Sequence, residues 1–444
     1  MNDIIYCNKL LRDMCDERLK ALYGDDIPTE CAQRVEEELK IIEENSAAPT
    51  LLLFINAINK AEPKKRTLSG MRTHSYIQYL LGIDLINPLN RELMDGHIIE
   101  IEHLSGFGKM FMDNYFYTTQ DMVGKVGAAF EADESVDNVF VNYLSRYETS
   151  AKSKTIYGIT FKTGFTYPKF PQKFKYPKKF MEFAAIIDKQ LEFIDMLAYT
   201  TNTNPLTVPY TDKAVINLAA DSKGNTLGNK GLHIISEDKS MFSLLAAVKP
   251  ETFYQLSKFI ALYLGKGTLE NDKLNKLYNG DIDINTILST KDDVFELFVN
   301  KTGDRESAYY SSLELNSEKS AYSYTKYDPK QYDCEEIKGI KYLPTRHESL
   351  IRARIACTQA YYKLHYPEEF YYAYFTCFAP WAFKGESIGP YNMFSEGNPQ
   401  EAMLHIATLK EMYKNGFDLA AIAQKMAEKI ENAIVVNGRV RIEP

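Results

Sequence analysis

The chain has 444 residues, enough for two or three domains around a large buried core. Hydrophobic residues at 45% and charged residues at 25% are ordinary for a globular protein and exclude a disordered or low-complexity chain. The longest apolar run, Leu51–Ile55, falls far short of the ~20 residues a membrane helix needs, and a net charge of −8 argues against a protein that coats nucleic acid over its whole surface.

The N-terminus has neither a basic region nor a signal-peptide core, so a cytoplasmic protein with no membrane partner is expected. Six cysteines (Cys7, Cys15, Cys31, Cys334, Cys357, Cys377) lack a C-x-x-C pair and read as reduced, structural thiols.

Three helices are predicted first. Ile4, Leu11, Cys15, Leu19 and Leu22 recur at helical spacing from Asp3 to Leu22, and Gly24 stops the run. Pro28-Thr29 opens an acidic helix with Val35, Leu39 and Ile42 inward and Glu36, Glu37, Glu43 and Glu44 outward. An apolar helix follows from about Thr50 to Ala61. After the basic loop Lys64-Lys65-Arg66, Ser69-Gly70 precedes a helix predicted from Arg72 to Leu81, ending at Gly82. A glycine loop before a helix N-terminus either cradles phosphate or simply caps the helix.

His97 to His103, HIIEIEH, alternates like a strand. Glu100 and Glu102 would then share one face about 7 Å apart, which suits either a metal pair or a solvated strand face. Asp113 to Leu144 reads as mostly helical. From Thr149 to Met181 the chain has no acidic residue. Lys162, Lys169, Lys173, Lys175, Lys178 and Lys179 alternate there with aromatics such as Tyr176. This block is either a groove for phosphates and bases or a lysine-protected edge strand with a solvated loop. TIYGITFKTGFTY within it has strand alternation, and Lys178 to Tyr199 reads as helix.

The polar linker Thr200–Pro205 is the strongest domain boundary, with helices dominating beyond it. Leu343 to Thr376 reads as a long helix with Arg346, His347, Arg352 and Arg354 in its early turns. It reaches Tyr361, Tyr362, Lys363 and His365 before Pro367 forces a break. A phosphate-backbone surface and an ordinary tyrosine-rich core pair both fit. Asn398-Pro399 caps a helix that stops at Gly416, and a final helix leads to a small Asn437-Gly438 hairpin.

The order Pro344, His347, Ala360-Tyr361, Lys363, His365-Tyr366-Pro367, Glu369-Phe370 resembles the fingers of the bacterial DNA polymerase III alpha subunit (family C), nearest to its PolC-type branch. Tyr79-Leu80-Leu81-Gly82-Ile83-Asp84-Leu85-Ile86-Asn87-Pro88-Leu89 is similar to that family's palm segment after its nucleotide loop. The resemblance implies an α+β, mostly helical chain with a polymerase-beta-like nucleotidyltransferase palm and a helical fingers domain. The palm would fall in 1–105 and 151–199, the latter with the basic aromatic segment. A helical thumb-like insertion would occupy 106–150, fingers 206–397, and C-terminal helices with the hairpin 398–444.

By the same resemblance, Glu100, Glu102 and Glu182 stand where catalytic aspartates would hold Mg²⁺ about 4 Å apart. Gly70, Arg72, Ser75, Lys239 and His347 would hold the triphosphate, with Met71, Lys239 and Phe242 departing from the family pattern. Lys162, Lys169, Lys173, Lys175, Tyr176, Lys178, Lys179, Arg352 and Lys363 would contact DNA. The implied partners are primer–template DNA, a deoxynucleoside triphosphate and replisome proteins. A DNA-binding core with weakened or lost nucleotidyl transfer, an active minimal polymerase, and an interaction protein keeping only the fold are the three functions carried forward.

Overall fold

The opening helices form where the periodicity places them: α1 (Asn2–Tyr23), α2 (Thr29–Glu44) and α3 (Ala48–Ala61). Gly24 ends α1 with φ +66°, a conformation that favours glycine. The computed structural model describes residues 2–44, 46–62, 68, 74–99, 115–132, 136–149, 152–163, 180–221, 227–232, 244–245, 247–269, 273–314, 335–384 and 399–437. It divides into two compact units, one of Met1–Asp188, Leu264–Glu270 and Leu288–Ile351, the other of Lys189–Tyr263, Asn271–Ile287 and Arg352–Pro444. The described residues are mostly helical, as expected.

In the first unit, α1 to α3 bury Leu11, Cys15, Leu19, Val35, Leu39, Ile42, Phe54 and Ile55 in one core. The short helix α4 (Tyr76–Leu80) and α5 (Gln120–Glu131) complete it with Tyr76, Ile77, Leu80, Met122, Val123 and Val126. Leu22 departs from its expected inward place and is half exposed, because it lies in the last turn before Gly24. Burial pushes the Cys15 thiol up to about 12, so it sits in the core as a protonated apolar group.

A four-stranded sheet in the order β1-β4-β3-β2 belongs to the same unit. Its strands are β1 (Tyr115–Thr118), β2 (Val136–Thr149), β3 (Lys152–Thr163) and β4 (Phe180–Ile187). β1 runs parallel to β4, while β3 is antiparallel to both β2 and β4, with Thr160 opposite Glu182. Two helical expectations are corrected here. Asp113–Leu144 holds β1, α5 and the start of β2, and the helix expected from Lys178 begins only after β4. Val136, Val139, Val141 and Tyr143 favour a pleated strand once a partner is present, and a short apolar run such as that of β4 has no period that separates strand from helix.

Residues 97–99 of HIIEIEH are irregular, and the rest of that expected strand lies outside the described residues. The helix expected from Arg72 is observed only from Tyr76. A second cluster of this unit joins α10 (Lys291–Thr302) and α11 (Arg305–Glu314), burying Val294, Phe298, Ala308 and Leu343. A Thr290–Asp293 capping box starts α10.

The second unit contains α6 (Lys189–Thr201), α7 (Lys213–Ala219), all but the last residue of α8 (Phe253–Leu264), and α9 (Lys273–Asn279). It also holds most of α12 (Arg346–His365), then α13 (Pro367–Phe378), α14 (Pro399–Lys414) and α15 (Leu419–Asn437). Pro367 breaks α12 from α13 as expected. Asn437 ends α15 rather than opening a turn, and Gly438 lies outside the described residues. Phe193 packs edge-on against Phe370, Tyr374 and Phe378 at 5.3–6.0 Å between ring centres.

His405 is buried in this unit with its Nδ1 2.9 Å from the Tyr374 hydroxyl. Burial, helped by the Lys189 ammonium, lowers its pKa to about 4 from 6.5. Below 6.5 an unfolded chain takes up a proton that the folded ring refuses. Stability present at neutral pH is therefore lost as pH falls from 6.5 towards 4, by about 3 kcal/mol. Denaturant unfolding followed across that window should show the loss, and His405→Gln should flatten it. Equal acid slopes in both chains would remove His405 as the cause.

Candidate functional site

Ser75 is the N-cap of α4: its extended backbone starts the helix and its Oγ accepts from the Gln78 N–H at 3.2 Å. The same hydroxyl donates to Glu38 of α2 at 2.6 Å. The Tyr76 and Ile77 N–H groups donate to the Glu38 carboxylate at 2.8 and 3.0 Å. Glu38 thus fills, with a protein carboxylate, the place that an anion takes at many helix N-termini. Ser75 is fully buried, so its hydroxyl faces Glu38 and not solvent.

Arg34, one turn before Glu38 and buried with it, pairs with that carboxylate through Nε at 2.7 Å. Its two terminal nitrogens donate to the carbonyls of His74 (2.9 Å) and Ile99 (3.1 Å). One guanidinium therefore fastens the end of the expected nucleotide loop and the residue just before Glu100. They are 25 positions apart in the chain (74 to 99).

The start of α12 reaches the same place. Arg346, 1% exposed, donates to the Ile98 carbonyl at 2.5 Å, to Asp293 at 2.9 Å and to Glu296 at 2.7 Å. Its backbone N–H is capped by Asp292 at 2.7 Å. Burial pushes the Glu296 carboxyl up, but hydrogen bonds from His97 and Arg346 outweigh this and hold it below the usual range. His347 brings Nε2 within 2.9 Å of Asp84, and its ring lies 5.3 Å from that of His74. Asp84 also accepts from the Leu85 and Ile86 N–H groups, so a buried carboxylate ties the turn after α4 to α12.

Three segments singled out in the sequence thus meet within the first unit: the turn at His74–Ser75, the His97–Ile99 stretch and the His347 block. Gly70, Arg72, Glu100, Glu102, Lys169, Lys173, Lys175, Tyr176, Lys178, Lys179 and Lys239 lie outside the described residues. Glu182 and Lys162 are placed by backbone alone, on β4 and β3. Among the described residues, no group of three or more His, Cys, Asp or Glu could hold a metal ion.

Arg352 and Lys363 belong to the second unit. Arg352 is half-buried, and Lys363 corrects its expected role as a DNA contact, because it is 0% exposed. Its ammonium pairs with Glu411, donates to the Lys230 carbonyl at 2.6 Å and lies over the Phe370 and Tyr371 rings at 5.2 and 5.5 Å. Burial lowers its pKa to about 8, against the pull of Glu411. Four residues that build this junction were given no role of their own in the sequence: Arg34, Glu38, Asp84 and Asp293. Arg34 and Glu38 left a signal, an i,i+4 pair of opposite charge on the same stripe as Val35, Leu39 and Ile42.

Residues 9–130 match the family model "Bacterial DNA polymerase III alpha NTPase domain". The PolC-type DNA polymerase III of Thermotoga maritima is 22% identical across 86% of this chain and 35% of its own length. That of Thermotoga petrophila is 26% identical across 45% of the chain and 15% of its own length, and that of Clostridium perfringens 27% across 41% and 13%. The chain thus spans about a third or less of these relatives. No described helix is long and apolar enough to cross a membrane. The chain is thus similar over residues 9–130 to the NTPase domain of the bacterial DNA polymerase III alpha subunit, and at 22–27% identity to PolC-type DNA polymerases III, as a strongly diverged member of that family would be.

Proposed function

We propose that the chain is a DNA polymerase III alpha-like core that binds primer–template DNA, with Mg²⁺-dependent nucleotidyl transfer weakened or lost. The junction at Arg34, Arg346 and His347 supports this reading, since it joins His74–Ser75, Ile98–Ile99 and His347, which lie in or beside the segments that the resemblance reads as nucleotide loop, carboxylate strand and fingers. The four-stranded sheet would be the polymerase-beta-like palm, with Glu182 on its second strand in spatial order. Glu100, Glu102 and Glu182 are the carboxylates that would hold Mg²⁺, which supplies charge for the departing phosphates when bound.

The weakening rests on residue chemistry. A glutamate moves its carboxylate about 1 Å further from the backbone than an aspartate, a displacement that costs an in-line transfer heavily. Lys239 is a point donor where the family has a bidentate arginine. Retained activity is the second reading, favoured by the buried tethers on the His74, Ile98 and Ile99 carbonyls. A cytoplasmic location and replisome partners follow from the same relationship.

Binding of a fluorescent primer–template should weaken steeply with salt. Replacing Lys173, Lys175, Lys178 and Lys179 together by Ala should shallow the logarithmic slope by roughly 0.9 for each phosphate no longer neutralised. Primer extension with Mg²⁺ or Mn²⁺ should be feeble, and Glu100→Ala/Glu102→Ala should abolish what remains. A salt-independent or absent DNA affinity would sink the proposal, while brisk extension would favour the active reading.

A further inference from the structure

We propose that Arg34 is a positioning residue for nucleotide binding, setting the separation between the turn at His74–Ser75 and the chain at Ile99; this deepens the function proposed above and rests on it. Every nitrogen of its guanidinium is engaged, each with a different segment: Nε with Glu38 at 2.7 Å, Nη2 with the His74 carbonyl at 2.9 Å and Nη1 with the Ile99 carbonyl at 3.1 Å. A planar guanidinium presents its donors in a fixed fork, so the two carbonyls are held at one spacing and orientation. Lysine has the charge without the fork and can serve only one of them well.

The surrounding contacts remove the slack from each side. Glu38 grips Ser75, Tyr76 and Ile77, so the turn at His74 cannot swing away from α2. The Ile99 N–H donates to the Pro88 carbonyl at 2.8 Å, and Arg346 holds the preceding carbonyl, that of Ile98. Two arginines from separate helices thus hold consecutive carbonyls immediately before Glu100. Stability alone does not call for such an arrangement, because an apolar pair of similar volume often serves as well as a buried ion pair. What an apolar pair cannot do is set the register between two backbone segments.

The test uses the full chain with Arg34→Lys and, as a second variant, Arg34→Met/Glu38→Gln, which removes the buried charges together while leaving an acceptor for the α4 N–H groups. Three quantities are read: affinity for a fluorescent deoxynucleoside triphosphate with Mg²⁺, affinity for primer–template, and amide hydrogen exchange. Nucleotide affinity should fall about tenfold or more, the range seen when outer supporting contacts of a site are removed. Primer–template affinity should hold, and exchange should rise together at 74–78 and 97–99 with α10 and α11 unchanged. Unchanged nucleotide affinity in a folded variant, or loosening of only one segment, overturns this inference alone. A wild-type chain that binds primer–template but no nucleotide overturns the inference and leaves the function beneath it standing, whereas one that binds neither overturns both.

Discussion

Glu38→Ala is expected to destabilise the first unit by about 3–5 kcal/mol, because it strips the counter-charge from a buried arginine. Arg34 is 5% exposed, so its guanidinium cannot turn to water when the carboxylate is gone. The substitution also orphans the Ser75 hydroxyl and the Tyr76 and Ile77 N–H groups, which Glu38 alone is seen to accept. Arg34→Met/Glu38→Gln should stay much closer to wild type, since no buried charge is left without its partner. Urea unfolding of the three chains measures the difference. A Glu38→Ala cost below about 1 kcal/mol would mean that the ion pair does not hold the turn.

The second large effect belongs to the other unit. Glu411→Ala should cost about 3–5 kcal/mol, because Lys363 is fully buried and Glu411 is its counter-charge. Glu411 also accepts from the Tyr371 hydroxyl and the Lys230 N–H, both at 3.2 Å. Lys363→Met/Glu411→Gln should recover much of the loss, and a double-mutant cycle from urea midpoints isolates the coupling. Lys363→Met should leave the salt slope of DNA binding unchanged, because the ammonium it removes faces the interior. A shallower slope in that variant would return Lys363 to the DNA surface.

The sequence pattern made the helical frame legible wherever a stop residue met a strong period. Gly24 closes α1, Tyr366-Pro367 divides α12 from α13, and the stripe of Val35, Leu39 and Ile42 faces the core. It failed at β2 and β4, whose form depends on strand partners that local propensity does not contain. The site was legible as segments but not as a mechanism of assembly. His347 and Ser75 stood out through the family resemblance, whereas the groups that fix them, Asp84, Arg34 and Glu38, had no role assigned, because local pattern seldom marks a charged residue as buried. Lys363 misled for the converse reason. A lysine among tyrosines suggests a nucleic-acid contact, yet the same neighbours also make a box that holds a cation over aromatic faces.

The interleaving of the two units sets a schedule for biosynthesis. The first unit takes in residues up to Asp188 but needs Leu288–Ile351 to finish, and Arg346 and His347 are among the latecomers. At about 5–20 residues per second, a ribosome leaves the turn at Ser75 without those clamps for roughly 15 to 55 seconds. During that interval the nascent polypeptide holds Arg34 and Glu38 but lacks His347 for Asp84 and Arg346 for the Ile98 carbonyl.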